Sequence, residues 1–85
     1  MPEEEVGKIA DYFAKIGVAA IDITKGTLKV GDTIHIKGHT TDFEQTVDSI
    51  QIEHQSVPEA KPGDSIGIKV KDKVRDHDIV HKVLP

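Results

Sequence analysis

Lys61-Pro62-Gly63-Asp64-Ser65-Ile66-Gly67-Ile68-Lys69-Val70 decides the reading of this chain, because part of it has occurred before. Thirty-two residues earlier stands Lys29-Val30-Gly31-Asp32-Thr33-Ile34-His35-Ile36, so Gly-Asp, a hydroxyl residue, Ile, any residue and Ile recur in order. Each copy is a turn that feeds a strand. Gly31 and Gly63 accept φ > 0 without a Cβ clash, and Asp32 and Asp64 can bond backbone N–H groups within the turn. The hydroxyl residue then opens a period-2 run whose isoleucines face one side. The pattern is that of a small β-domain, and neither copy carries a catalytic group.

Working outward, six strands are expected. Val6 to Phe13 is the first, Ala14 to Gly17 turns, and Val18 to Ile23 returns with Ala19, Ile21 and Ile23 inward. Leu28 and Val30 are expected to cap one end of the core before the third strand, Thr33 to Lys37. Phe43 to His54 reads as one long strand, with a β-bulge near Asp48-Ser49 that returns Val47, Ile50 and Ile52 to one face. Gln55 to Pro62 reads as a loop anchored by Val57 and Ala60. The second Gly-Asp strand follows, then a polar turn at Arg75-Asp76-His77-Asp78, and Ile79 to Val83 closes the sheet. A helix over residues 3–16 competes for the first segment, but Gly7, Gly17 and a poor 3.6-residue stripe weigh against it. The expected fold is all-β: a small, closed or nearly closed six-stranded antiparallel barrel formed by residues 6–84 behind an acidic lead at residues 1–5.

Composition restricts function. The chain has 85 residues, 36% hydrophobic and 31% charged, with Tyr12, Phe13 and Phe43 as its aromatics, so one compact core must rest on Ile and Val. It has no cysteine, which excludes a disulfide scaffold or a thiolate metal site. Short apolar runs and the acidic start Met1-Pro2-Glu3-Glu4-Glu5 point to a soluble cytoplasmic protein with no membrane role. Eleven Lys and Arg against fifteen Asp and Glu give a net charge of −4, which weighs against tight autonomous nucleic-acid binding. Lys69, Lys71 and Lys73 alternate and would share a face if the strand persists that far. They are then either a solvated outer face guarding a sheet edge or a phosphate-facing stripe.

Three ordered motifs bear a resemblance. Lys25 to Ile34, Val47-Asp48-Ser49-Ile50-Gln51-Ile52, and Pro62 to Ile68, with Val57 to Ala60 between the last two, resemble domain two of elongation factor Tu, the barrel that follows the G domain in those GTPases. The resemblance runs from about Val6 to Val83 and implies the translation-protein type of barrel. Asp42-Phe43-Glu44-Gln45-Thr46-Val47 and Val74-Arg75-Asp76-His77-Asp78 also resemble the C-terminal barrel of collagenase-like peptidases, a family that includes RNA-modifying enzymes. No Gly-rich phosphate loop ending in Lys-Ser or Lys-Thr occurs, so no nucleoside triphosphate site of that kind is expected.

The resemblance also implies a site. In elongation factor Tu this barrel holds the terminal adenosine of aminoacyl-tRNA against an acidic residue, an arginine and an asparagine, and those places fall here on Gln51, His54 and Ser65, with Gly63, Asp64 and Gly67 in the wall. All three polar groups differ from the family's, which removes the fixed positive charge. The other reading makes Gln51 and His54 the outward residues of a strand that alternates with Ile50 and Ile52. No catalytic residue is assigned, since Asp76-His77-Asp78 lacks a nucleophile turn. His35, His39, His54, His77 and His81 are read as solvated, with no metal and no cofactor. The expectation is therefore a translation-factor-like binding module without catalysis in which canonical aminoacyl-tRNA capture is lost, contacting RNA or a ribonucleoprotein such as the ribosome mainly through Lys69, Lys71 and Lys73, with Gln51, His54 and Ser65 secondary. The alternative is a protein-interaction module that docks on a separate enzyme or assembly, such as a collagenase-like peptidase.

Overall fold

The computed structural model describes residues 2–84, and among them are ten strands and no helix. They are β1 (Glu3–Phe13), β2 (Val18–Ile23), β3 (Leu28–Lys29), β4 (Thr33–Lys37), β5 (Asp42–Thr46), β6 (Ile50–Ile52), β7 (Gln55–Val57), β8 (Glu59–Ala60), β9 (Ser65–Lys69) and β10 (Ile79–Val83). Eight form one antiparallel sheet in the order β5-β4-β10-β1-β2-β9-β6-β7, and β3 pairs with β8. Inward positions alternate along each long strand. Ala19, Ile21 and Ile23 on β2, Ile34 and Ile36 on β4, and Ile66 and Ile68 on β9 meet Val6, Ile9, Leu28, Val47, Ile50 and Val80 in a single core.

Gln45 brings the curled sheet nearly to closure. Its side-chain Nε2 donates to the Lys69 carbonyl at 2.7 Å, and its Oε1 accepts from the Lys71 N–H at 2.8 Å. One amide thus supplies both halves of a ladder step between β5 and the chain leaving β9. That contact satisfies backbone groups which an open edge would leave for another chain to pair with.

Both Gly-Asp turns have the expected geometry. Asp32 Oδ2 accepts from the Lys29 N–H at 2.9 Å and Asp64 Oδ2 from the Lys61 N–H at 2.8 Å, while Gly31 and Gly63 hold φ near 98° and 95°. A third copy follows at Arg75-Asp76-His77-Asp78. There Asp78 Oδ2 accepts from the Arg75 N–H at 2.9 Å, the Asp78 N–H returns to the Arg75 carbonyl at 3.1 Å, and His77 takes the glycine's place at φ 74°. In each copy the residue two after the aspartate, Ile34, Ile66 or Val80, is fully or almost fully buried. One device therefore launches β4, β9 and β10. The left-handed conformation costs a residue with a Cβ roughly 1–2 kcal/mol, and the His77 side chain, 87% exposed, returns little packing. His77→Gly is accordingly expected to raise stability by about 0.5–1 kcal/mol after the entropy cost of glycine. Urea denaturation would show a higher midpoint at unchanged slope, and a lower midpoint would contradict this account of the turn.

Four local expectations need correction. Glu3, Glu4 and Glu5 are not a lead but the start of β1, paired with Val83, Lys82 and His81. Phe43 to His54 is not one bulged strand: β5 ends at Thr46, and Val47 leaves the strand to exchange bonds with Gly31 and Asp32. Val47 and Ile50 are nevertheless buried, and Ile52 packs against them. The expected loop after His54 contains β7 and β8, which raises the strand count. Val30 is exposed and Leu28 alone caps the core, because Val30 sits at a turn position that points outward.

Candidate binding groove

The outer face of β2, β9 and β6 follows from the same alternation that builds the core. With Ile66 and Ile68 inward, Ser65, Gly67 and Lys69 face out; with Ala19 and Ile21 inward, so do Val18, Ala20 and Asp22. Ala20 lies opposite Gly67, and Gly67 opposite Gln51. Two small residues in one rung leave a depression of about 300 Å³. Its apolar side is Phe13, Ile16, Val18 and Ala20, and its polar side is Gln51, Glu53, His54 and Ser65. Phe13 and Ile16 are 48% and 63% exposed, although both are large and hydrophobic.

Three of the six expected site residues, Gln51, His54 and Ser65, thus converge on one groove. Ser65 Oγ donates to Asp22 Oδ1 at 2.9 Å, which orients the hydroxyl and leaves its lone pairs toward the groove. His54 is not on a strand. Glu53 and His54 are the two central residues of the tight turn between β6 and β7, at φ 50° and 66°, flanked by the Ile52–Gln55 pair. Both values are positive, as in a type I′ hairpin turn, where Asn-Gly is the usual occupant. Side chains at these two positions cost about 1–3 kcal/mol each, strain of the kind that collects at binding sites. Phe13 and Ile16 escape the sequence reading as site residues because nothing in an apolar strand end marks it as uncovered.

Lys69, Lys71 and Lys73 lie elsewhere, and they do not share a strand face. β9 ends at Lys69, after which the chain follows the Gln45 seam. Lys69 and Lys71 line an open groove of about 520 Å³ with Gln45, Thr46 and Asp48, and Lys73 and Arg75 line one of about 310 Å³ with Thr41, Asp42, Phe43 and Asp72. Lys71 Nζ stands 5.9 Å from the Phe43 ring centre, within cation–π range. The two regions meet. Val18, at the end of the apolar groove, pairs with Lys69, where the cationic seam begins.

Two histidines depart from the solvated reading, His35 and His81. His35 on β4 is held between two carboxylates, with Nδ1 2.7 Å from Glu3 Oε2 and Nε2 bonded to Asp42, and its side chain is only 12% exposed. Asp42 and then Glu3 raise the imidazole above its usual range, while bonding to His35 lowers both carboxyl groups.

Comparison with known proteins places this geometry. The family model Elongation factor Tu domain 2 matches residues 17–80. An uncharacterized protease of Methanocaldococcus jannaschii is 41% identical over 78 residues, covering 91% of this chain and 19% of that protein. A collagenase of Porphyromonas gingivalis is 44% identical over 78 residues, covering 91% and 22%. Elongation factor 1-alpha of Thermococcus sibiricus is 37% identical over 70 residues, covering 74% and 16%. The chain thus spans about a fifth of the length of the curated relatives it matches. Among solved structures, the C-terminal domain of a Geobacillus thermoleovorans protein described as a U32 peptidase superimposes with a TM-score of 0.88 at 21% identity, over 95% of this chain and 93% of that one. That superposition speaks for the barrel.

Proposed function

The chain belongs to the elongation factor Tu domain 2 family, and from that membership we propose that it is a non-catalytic binding module that takes an unpaired RNA end in the groove between Phe13 and His54. The observation that carries this reading is the convergence of Gln51, His54 and Ser65 with an exposed aromatic ring on one shallow depression. A nucleobase has an apolar face and a polar edge. Phe13 and Ile16 offer surface to the face, and Gln51 and Ser65 offer donors and acceptors to the edge, the arrangement by which single-stranded RNA is commonly held. The groove lining has no Lys or Arg and one acid, Glu53, so phosphates are drawn instead to the adjoining seam of Lys69, Lys71 and Lys73. With the family's fixed positive charge replaced by His54, the charge-assisted mode of aminoacyl-tRNA capture is lost, and the groove holds an RNA end by stacking and hydrogen bonds alone. Contact with RNA or the ribosome in the cytoplasm is the corresponding setting.

A second reading has its own observation. Phe13 and Ile16 are large, apolar and exposed side by side, as at the centre of a protein-docking patch, and the M. jannaschii and P. gingivalis relatives carry the matching segment within much longer chains. The partner would then be an enzyme or assembly presenting an apolar knob. Binding of a fluorescent single-stranded RNA ending in the bases CCA separates the two. Phe13→Ala is expected to cost about 1–3 kcal/mol of stacking, roughly a 5- to 150-fold loss of affinity. Lys71→Ala is expected to weaken binding less and to reduce the logarithmic salt slope by about 0.7. RNA affinity indifferent to Phe13 would remove the RNA reading and leave protein docking.

A further inference from the structure

On the opposite flank of the barrel, the outward residues of β5, β4, β10 and β1 form one rung. Glu44 pairs with His35, His35 with His81, and His81 with Glu5. Two imidazoles thus stand side by side between two carboxylates. Glu3, two residues before Glu5 on the same face of β1, reaches across to His35 Nδ1 at 2.7 Å. Donor atoms of Glu3, His35 and Glu44 all lie within 4.8 Å of one another, the span a single coordinated ion would fill. Two further observations bear on a ligand. His35 bonds Asp42 through its other ring nitrogen, so one carboxylate orients the ring while Nδ1 faces Glu3, and such a carboxylate is the usual outer partner of a metal-bound histidine. Beside it, His81 Nδ1 is buried with no hydrogen-bond partner among the described residues, a vacant lone pair or an unused N–H that a protein rarely leaves.

We propose that Glu3, His35 and Glu44 form a binding site for a divalent transition-metal ion such as zinc, oriented by Asp42, with His81, whose ring nitrogens stand outside that 4.8 Å cluster, turning in to supply a fourth donor. Imidazole nitrogen beside carboxylate oxygen suits zinc and its first-row neighbours, whereas magnesium and calcium take all-oxygen sets. The site would tie the first residues of β1 to β4 and β5, strands that its backbone ladder does not reach, because β10 lies between. It shares no residue with the RNA groove and stands or falls independently of it.

The test is zinc titration of the full chain after treatment with a chelator, followed by calorimetry and by the imidazole nitrogen resonances. One zinc per chain is expected to saturate at micromolar concentration and to shift His35 and His81, with His39, His54 and His77 unmoved. Glu44→Gln, an exposed change that spares the fold, is expected to weaken binding by at least tenfold, and Asp42→Asn by about 10–100-fold. Lack of saturation at millimolar zinc, affinity that survives Glu44→Gln, or magnesium binding as tight as zinc would each overturn the site.

Discussion

Ile34→Ala is expected to remove about 2–5 kcal/mol of folding free energy. Ile34 is fully buried, stands two residues after the first Gly-Asp turn, and lies between Lys82 on β10 and Gln45 on β5. Truncation loses the transfer free energy of its outer carbons and leaves a hole, because the neighbouring strands are fixed by their ladders on both sides and cannot collapse into it. A domain of 85 residues has roughly 4–13 kcal/mol in total, so this one change can leave a large unfolded fraction at room temperature. Urea denaturation followed by circular dichroism reads it directly. A loss below about 0.5 kcal/mol, the range of ordinary surface changes, would mean that the core is not centred where the alternation puts it.

Gly7→Ala is expected to cost about 3 kcal/mol or more, for a different reason. Gly7 is buried at the register shift of β1, opposite Ile23 on β2 and Val80 on β10, and its φ lies in the ordinary negative range. Space is what constrains it. A Cβ built there would stand 2.3 Å from the Asp22 carbonyl oxygen and 3.3 Å from Ile21 Cγ2. The oxygen belongs to a backbone held on both sides, so relief requires β1 and β2 to separate, and overpacking of this sort typically costs about 1–3 kcal/mol, occasionally more. By contrast Gly31→Ala meets nothing within 4 Å and should suffer only from its positive φ. If thermal melts show Gly31→Ala to be the more damaging of the two, the close crossing of β1 over β2 is not the strained point.

The fold was legible wherever chemistry repeats. Ile34 and Ile36, Ile66 and Ile68, and Ile21 and Ile23 alternate strictly and are all buried, and Asp32 and Asp64 make the turn bonds their positions call for. The third turn was legible as a polar turn but not as a third copy of the device, because His77 occupies the glycine's place and the repeat lost its most visible letter while keeping its geometry. The Glu53-His54 turn was hidden for the same reason: a type I′ turn without Asn or Gly gives no composition signal, and the alternation of Ile50 and Ile52 invited the strand to run on. Of the candidate groove, Gln51, His54 and Ser65 could be reached through the resemblance. Phe13 and Ile16 could not, since their exposure depends on Ala20 and Gly67 meeting across two strands far apart in sequence. The lysine run was seen as chemistry, but the condition for a shared face is not met: β9 ends at Lys69, with no breaker residue to mark the end, and Lys71 bonds the Gln45 side chain.

Amide chemical shifts of the full chain, followed while a short single-stranded RNA ending in CCA is added, test the groove most directly. The account predicts saturable shifts centred on Phe13, Ile16, Gln51, His54 and Gly67, with smaller salt-sensitive shifts running from Lys69 to Lys73. Shifts confined to the lysine seam, or none at either place at millimolar RNA, would contradict it.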